Sequence, residues 1–185
     1  WSYYAGMESG TALAGILTGR INPSGKLAET FPRVYEDTPT GHNGQFGRDN
    51  MVCYEEEIMV GYRHYEKNDI LPMFCFGQGL SYTEFAYHDL QVKQDNDAKD
   101  RVSISFDIEN VGQIDGREIV QIYVRDEECT VIRPEKELKA FKSITLKAGS
   151  VCRVEITLDS MAFSFYDEKK HDFCVEPGIF EICVG

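Results

Sequence analysis

Val102-Ser103-Ile104-Ser105-Phe106-Asp107-Ile108 alternates apolar and polar residues without a break. A period of two places its four apolar side chains on one face of an extended chain, as in a half-buried strand. The pattern recurs downstream in Val120, Ile122 and Val124, then Ile144 and Leu146, then Cys152, Val154, Ile156 and Leu158. Phe163 with Phe165, and Phe180 with Ile182 and Val184, continue it, and a further strand is expected around Leu90 and Val92. Asn110-Val111-Gly112, Asp115-Gly116 and Ala148-Gly149-Ser150 punctuate these runs as turns.

Seven or so short strands over about 100 residues predict a mainly β chain with an immunoglobulin-like sandwich. The Cys…Trp…Cys spacing of antibody domains is missing, because the only Trp is Trp1. The fibronectin type III-like version is therefore expected. Upstream the periodicity changes. Residues 9–18 read as a helix with Ala12, Leu13, Ile16 and Leu17 on one face, Ser9 as N-cap and Gly19 just past the end. Asn22-Pro23-Ser24-Gly25 reads as a turn, and residues 26–31 as a short extended segment that Pro32 ends. One helix and one strand cannot bury each other's apolar faces. Residues 1–32 thus read as the remnant of a larger α/β domain.

Residues 33–52 carry three glycines, Pro39 and no periodicity. They are expected to form a long loop, on the side of a cleft or, as the alternative, a disordered linker. Residues 60–85 concentrate aromatics and glycines and read as a rigid connector. Phe74, Phe76, Tyr82 and Phe85 are expected at its buried seam, with Gly77 and Gly79 permitting close backbone approach. The expected organisation is a remnant and loop over 1–57, a connector over 58–85 and a sandwich over 86–185.

The 185 residues are 42% hydrophobic, enough for a core, and carry a net charge of −12. That balance points away from nucleic acid and anionic membrane as partners. No apolar run approaches the ~20 residues of a membrane span. No signal peptide is read at Trp1-Ser2-Tyr3-Tyr4, and Trp1 is expected to be a fragment boundary. Six cysteines lack CxxC pairs and zinc-site spacings. Free thiols and a cytoplasmic rather than secreted location are the expectation.

Tests for chemistry turn up no self-sufficient active site. Glu55-Glu56-Glu57 and Asp126-Glu127-Glu128 are acidic triplets. Glycoside hydrolysis needs two carboxyls facing each other across a sugar ring, about 5 to 9 Å apart, which neighbours in sequence do not provide. A solvated face is the plainer reading of both. His42, His64, His88 and His171 have no metal-ligand spacing. The calcium-loop-like start at residues 95–100 lacks the glycine and the closing Glu. Gly77-Gln78-Gly79 lacks the third glycine of a dinucleotide fingerprint, since Tyr82 stands there. Tyr54, Tyr62, Tyr65, Phe74, Phe76 and Tyr82 are candidates for stacking on sugars, against a plainer reading as packing residues.

Longer motifs carry a resemblance. Trp1-x-x-Tyr4-x-Gly6-Met7-Glu8-x-Gly10, Asn22-Pro23-Ser24-Gly25-Lys26-Leu27 and Thr30-Phe31-Pro32 are similar to the end of the second domain of glycoside hydrolase family 3 β-glucosidases. Val60-Gly61-Tyr62-Arg63-x-Tyr65 and Phe76-Gly77-x-Gly79-Leu80-Ser81-Tyr82-Thr83 resemble that family's connector. Arg133-Pro134-x-Lys136-Glu137-Leu138 and Glu176-Pro177-Gly178 resemble its fibronectin-like domain. The resemblance implies a parent that hydrolyses terminal β-D-glucosyl residues with retention, through a glycosyl-enzyme intermediate. It implies a barrel supplying an Asp nucleophile, an α/β sandwich supplying a Glu acid/base, and neither cofactor nor metal. Neither catalytic residue has a matching position here, so no catalytic residue is assigned and the chain alone is expected to be inactive. Its partners would be the rest of the parent and a β-glucoside. Tyr54 and Glu55 are expected on the rim of the substrate cleft. A non-catalytic carbohydrate-binding or structural immunoglobulin-like module is the alternative.

Overall fold

The computed structural model describes residues 2–44, 50–94 and 101–185. The calcium-loop-like residues 95–100 lie outside them. From residue 85 onward the chain is built of eight strands: β1 (Phe85–Gln94), β2 (Arg101–Asn110), β3 (Gly116–Asp126), β4 (Glu137–Leu146), β5 (Val151–Asp159), β6 (Phe165–Asp167), β7 (Asp172–Cys174) and β8 (Phe180–Val184). One antiparallel sheet has the order β1-β2-β5, a second the order β4-β3-β8, and β6-β7 form a separate ribbon.

The period of two explains the core. Ile104, Phe106 and Ile108 of β2, with Val154 and Leu158 of β5, face Val120, Ile122 and Val124 of β3 and Ile144 and Leu146 of β4 in one buried cluster. The burial of β2 itself alternates, and it ends on Asn110, which is fully buried. A polar group taken out of water needs partners. Asn110 Oδ1 accepts from Thr83 Oγ1 at 2.6 Å and from the Gly112 N–H at 3.1 Å. Its Nδ2 donates to Ile114 O at 2.8 Å and Leu146 O at 3.3 Å. One side chain thus ties the connector, the 110–112 turn and the opposite sheet together.

Two parts of the sandwich differ from the pattern reading. Leu90 and Val92 mark β1 correctly but stay about half exposed, because a bulge between His88 and Gln91 shifts the register. The core contacts of β1 come from Phe85 and Tyr87 instead. Phe163 is buried in a 3-10 turn (Ser160–Phe163), not in a strand. Asp159 caps that turn by accepting from the Met161 N–H at 3.1 Å, which breaks the alternation there.

Upstream, α1 (Ser9–Leu17) continues a 3-10 turn over Gly6–Glu8. Ser9 is therefore inside the helix, and Glu8 occupies the cap position without a side-chain bond. Gly19, with φ +74°, ends it as read. Residues 22–25 form no turn; the Asn22 side chain is spent on the connector, as described below. The loop expected over 33–52 is partly helical, with a 3-10 turn over Tyr35–Asp37 and α2 (Pro39–Asn43). Thr38 Oγ1 accepts from the Gly41 N–H at 3.0 Å, Pro39 opens the helix, and Gly44 closes it at φ +62°. The last helix, α3 (Tyr62–Lys67), lies within the connector and follows Gly61 at φ +55°.

Candidate functional site

The seam between connector and sandwich is the most densely bonded polar region of the molecule outside the sheets. In a helix, positions i, i+1, i+4 and i+5 share a face. On α3 these are Tyr62, Arg63, Glu66 and Lys67. Each meets one residue of the segment that enters β4, in reverse order. The Leu138 N–H donates to Tyr62 Oη at 2.9 Å. Arg63 pairs with Glu137 at 2.9 Å, Glu66 with Lys136 at 2.5 Å and Lys67 with Glu135 at 3.4 Å. Glu137 is further tied to Lys139 at 3.1 Å. Just upstream, Arg133 is buried and holds the buried carboxylate of Asp126 at 2.7 Å. The triplet Asp126-Glu127-Glu128 is thus not wholly solvated, as its sequence suggested.

Behind this strip, Tyr62 stacks on Phe76 with ring centroids 4.9 Å apart and meets Tyr123 edge-on at 6.0 Å. Tyr123 Oη donates to Gln121 Oε1 at 2.7 Å, and Gln121 Nε2 donates to Gly77 O at 3.1 Å. Gly77 sits at φ +79°, and a Cβ there would collide with the Gln121 amide. The segment at 26–31 lies along the connector rather than in a sheet. Leu27 N donates to Gln78 O, Gly77 N to Leu27 O and Phe31 N to Phe74 O, at 2.8 to 2.9 Å. Asn22 joins three parts: its Oδ1 accepts from Ser81 Oγ and the Tyr82 N–H, and its Nδ2 donates to Asp115 O. Lys26 pairs with the buried Glu118 of β3 at 2.6 Å.

These contacts determine what the groups can do. Glu66, Glu118, Glu137 and Asp126 all sit in ion pairs that hold elements together. Burial, with the charges of Tyr62 and Glu66, pushes the Tyr123 phenol up to about 12. Burial likewise pushes Tyr87 well above the usual phenol range, with Glu118 adding to it. His64, buried on α3, is held below the ordinary histidine value, mainly by desolvation, with His42 adding to it. Its Nε2 lies 3.1 Å from Asp37 O and its Nδ1 3.2 Å from Asn68 Nδ2. The ring of His42 stands 5.4 Å away.

The sugar-stacking candidates separate. Tyr62, Tyr65 and Phe76 pack inside the connector. Tyr82 and Phe74 are about half exposed, not buried at the seam as expected. Phe74 meets Phe31 edge-on at 6.1 Å, and Tyr82 Oη donates to Ile16 O at 2.8 Å. Tyr54 alone of the six projects freely, at 80% exposure, from a turn that also exposes Glu55 and Glu57. The structure therefore does not bring Tyr54 and Glu55 to the other candidates. The α1 face read from sequence is likewise uncovered, with Leu17 75% exposed and Met7, just ahead of the helix, fully so.

A family model described as glycosyl hydrolase family 3 C-terminal domain matches residues 1–82, and a fibronectin type III-like domain matches residues 118–185. A thermostable β-glucosidase B from Acetivibrio thermocellus is 45% identical over 185 residues, covering 100% of this chain and 24% of its own length. The crystal structure of a family 3 β-glucosidase from Bifidobacterium adolescentis superimposes with a TM-score of 0.90 at 37% identity, over 96% of this chain and 26% of its own. A β-glucosidase from Kluyveromyces marxianus gives 0.91 at 38%, over 98% and 22%. The chain spans about a quarter of the length of these relatives. With one match on each side of the seam, the chain belongs to glycosyl hydrolase family 3, as its C-terminal portion.

Proposed function

We propose that this chain is the C-terminal part of a retaining β-glucosidase acting on terminal β-D-glucosyl residues, and that its own task is to brace the catalytic domains. The observation that carries this is an asymmetry. The face of the connector that meets the sandwich is tied to it by a run of ion pairs and hydrogen bonds, whereas α1 and the chain around it leave Met7, Leu13 and Leu17 uncovered. A helix with an apolar face and nothing against it needs a partner. A barrel and the rest of an α/β sandwich would cover it and supply the Asp nucleophile and Glu acid/base. The 185-residue chain should then leave an aryl β-glucoside intact, and activity should return on adding the separately made upstream domains. Turnover by the repurified chain alone overturns the reading.

Tyr54 and Glu55 belong to the rim of the substrate cleft in this reading. Their support is exposure on a turn that nothing among the described residues covers. Glu55→Ala in the full-length enzyme should raise KM for longer glucosides while leaving kcat for an aryl glucoside unchanged. Unaltered KM for every chain length removes Glu55 from the rim.

A further inference from the structure

The turn that exposes Tyr54 and Glu55 has a defined shape. The Glu57 N–H donates to Tyr54 O at 3.3 Å, the Met59 N–H to Glu56 O at 2.8 Å and the Val60 N–H to Ile58 O at 3.0 Å. Two residues here have left-handed backbone. Glu57, which carries a side chain, sits at φ +50°, and Gly61 at φ +55° and ψ −138°. A residue such as Glu57 adopts this region only under strain. Strain of this kind persists where the surroundings enforce it, and it collects at ligand clamps and active sites.

Arg63 supplies the enforcement. Its Nη1 donates to Ile58 O at 3.5 Å, and its Nη2 pairs with Glu137 Oε1 at 2.9 Å. Glu137 is itself held, since its Oε2 meets Lys139 at 3.1 Å and Arg133 Nη2 at 3.8 Å. Arg133 is buried and bound to Asp126 of β3. A polar line thus runs from the sandwich to the turn through Asp126, Arg133, Glu137, Arg63 and Ile58 O. Arg63 Nε is shut off from solvent without an acceptor, so the guanidinium is not placed to make the most bonds. A largely buried ion pair adds little net stability over apolar side chains of the same shape; fixed relative position is the better account of it. Only a forked guanidinium can hold a carboxylate and a carbonyl together.

We propose that Arg63 is a positioning residue for substrate selection in the parent enzyme. It fixes the 54–58 turn against the sandwich and so sets where Tyr54 and Glu55 stand toward glucosyl units beyond the one cleaved. This rests on the reading of the chain as part of a β-glucosidase with that turn on the rim of its cleft. Arg63 touches no substrate itself. The sandwich then contributes to selectivity for glucoside length as well as to bracing.

The test uses Arg63→Lys, which keeps a charge for Glu137 but gives up the fork, and Arg63→Met, which gives up both. Arg63→Lys keeps the test open should Arg63→Met misfold. In the 185-residue chain, hydrogen exchange at the Glu57 and Met59 amides should speed up by about tenfold or more, while β2 and β5 exchange as in the wild type. In the full-length enzyme, KM for gluco-oligosaccharides of three and four units should rise about threefold or more, with kcat for an aryl β-glucoside within about twofold. Glu137→Gln should act in the same direction, and adding it to Arg63→Met should change neither reading further, because it works through Arg63. Unchanged exchange at the two amides overturns the proposal. Faster exchange with KM unaltered for every chain length also overturns it, and aryl-glucoside turnover by that enzyme would leave the parent reading intact. A full-length wild type that cleaves no β-glucoside would remove the parent reading and the proposal together.

Discussion

The sandwich and the chain ahead of it dispose of their apolar side chains in opposite ways. Among the described residues, every buried apolar side chain except Tyr65 lies between Ile104 and Phe163. The upstream half has comparable apolar content in α1 and the connector, yet leaves Leu13, Leu17, Leu71 and Leu80 at least half exposed. The sandwich closes on itself because two sheets of period-two strands each have the other to face. The upstream part is joined to it by ion pairs and hydrogen bonds, and its hydrophobic surface is directed elsewhere. Self-sufficiency and dependence thus coexist in one chain, and substitutions on the two sides should behave differently.

The largest contrast should come from Phe106→Ala. Phe106 is 1% exposed at the centre of the cluster, and truncating such a residue typically costs about 3–5 kcal/mol. Chemical denaturation of the 185-residue chain should show most of its stability gone. Leu17→Ser in α1 should change the same measurement by less than about 0.5 kcal/mol, as surface substitutions usually do, and should destabilise only the full-length enzyme. Equal losses from both in the isolated chain would dissolve the comparison.

Next in size is the Arg133–Asp126 pair, both side chains less than a tenth exposed. Removing one partner of a buried pair leaves a bare charge, at about 3 kcal/mol or more. Arg133→Met should therefore be severe, and adding Asp126→Leu should recover much of the loss. No recovery in the double variant would mean that the Arg133 bonds to Phe163 O and Ser164 O matter more than the charge.

Legibility follows the same divide. β2 and β5 can be read from alternation alone, because they pair with each other and the core that their apolar faces cover belongs to this chain. The helix α1 can also be read, but not what covers it. The helix α2 escaped notice although Thr38, Pro39 and Gly44 form a cap, a first-turn proline and a closing glycine; five residues are too few to show a period. Of the strip from Tyr62 to Lys67, Tyr62 and Arg63 stand out in sequence through the family motif, Tyr62 also as an aromatic, and Glu66 and Lys67 do not. Its pairing with residues 135–138 depends on two segments about 70 residues apart, which no local pattern encodes. Tyr54 and Glu55 stand out by their place beside a long loop, and the structure exposes both.

A smaller effect is expected at the hinge of the seam. Gly77→Ala combines a left-handed backbone with a methyl driven into the Gln121 amide. The backbone term alone costs roughly 1–2 kcal/mol. The variant should stay folded, since the sandwich core is untouched, but should lose the Gln121 to Gly77 hydrogen bond and with it the fixed angle of the connector. Proteolysis within residues 60–85 should become faster while the core melts nearly as before. A core that melts earlier by the same amount as the connector would show the two to be one cooperative unit.

The smallest effect is one of pH. Desolvation lowers the folded-state pKa of His64, so the neutral ring is the form that folding favours. The unfolded chain, near 6.5, then binds a proton that the folded chain resists. Stability from this site is complete above about 6.5 and declines as the pH falls below it toward the folded value. His42, its ring 5.4 Å away, adds to the lowering at His64. What loosens is the contact from α3 to Asp37 and so to the 35–43 segment, not the sandwich. Comparing the chain with its His64→Gln variant between pH 7 and pH 5 isolates this site from the many exposed carboxylates. The wild type should lose stability relative to the variant across that interval, and hydrogen exchange in 35–43 should accelerate first. A difference that stays flat with pH would mean that the His64 ring is as easily charged in the folded chain as in water, and that its contact to Asp37 contributes nothing pH-dependent to the upstream half.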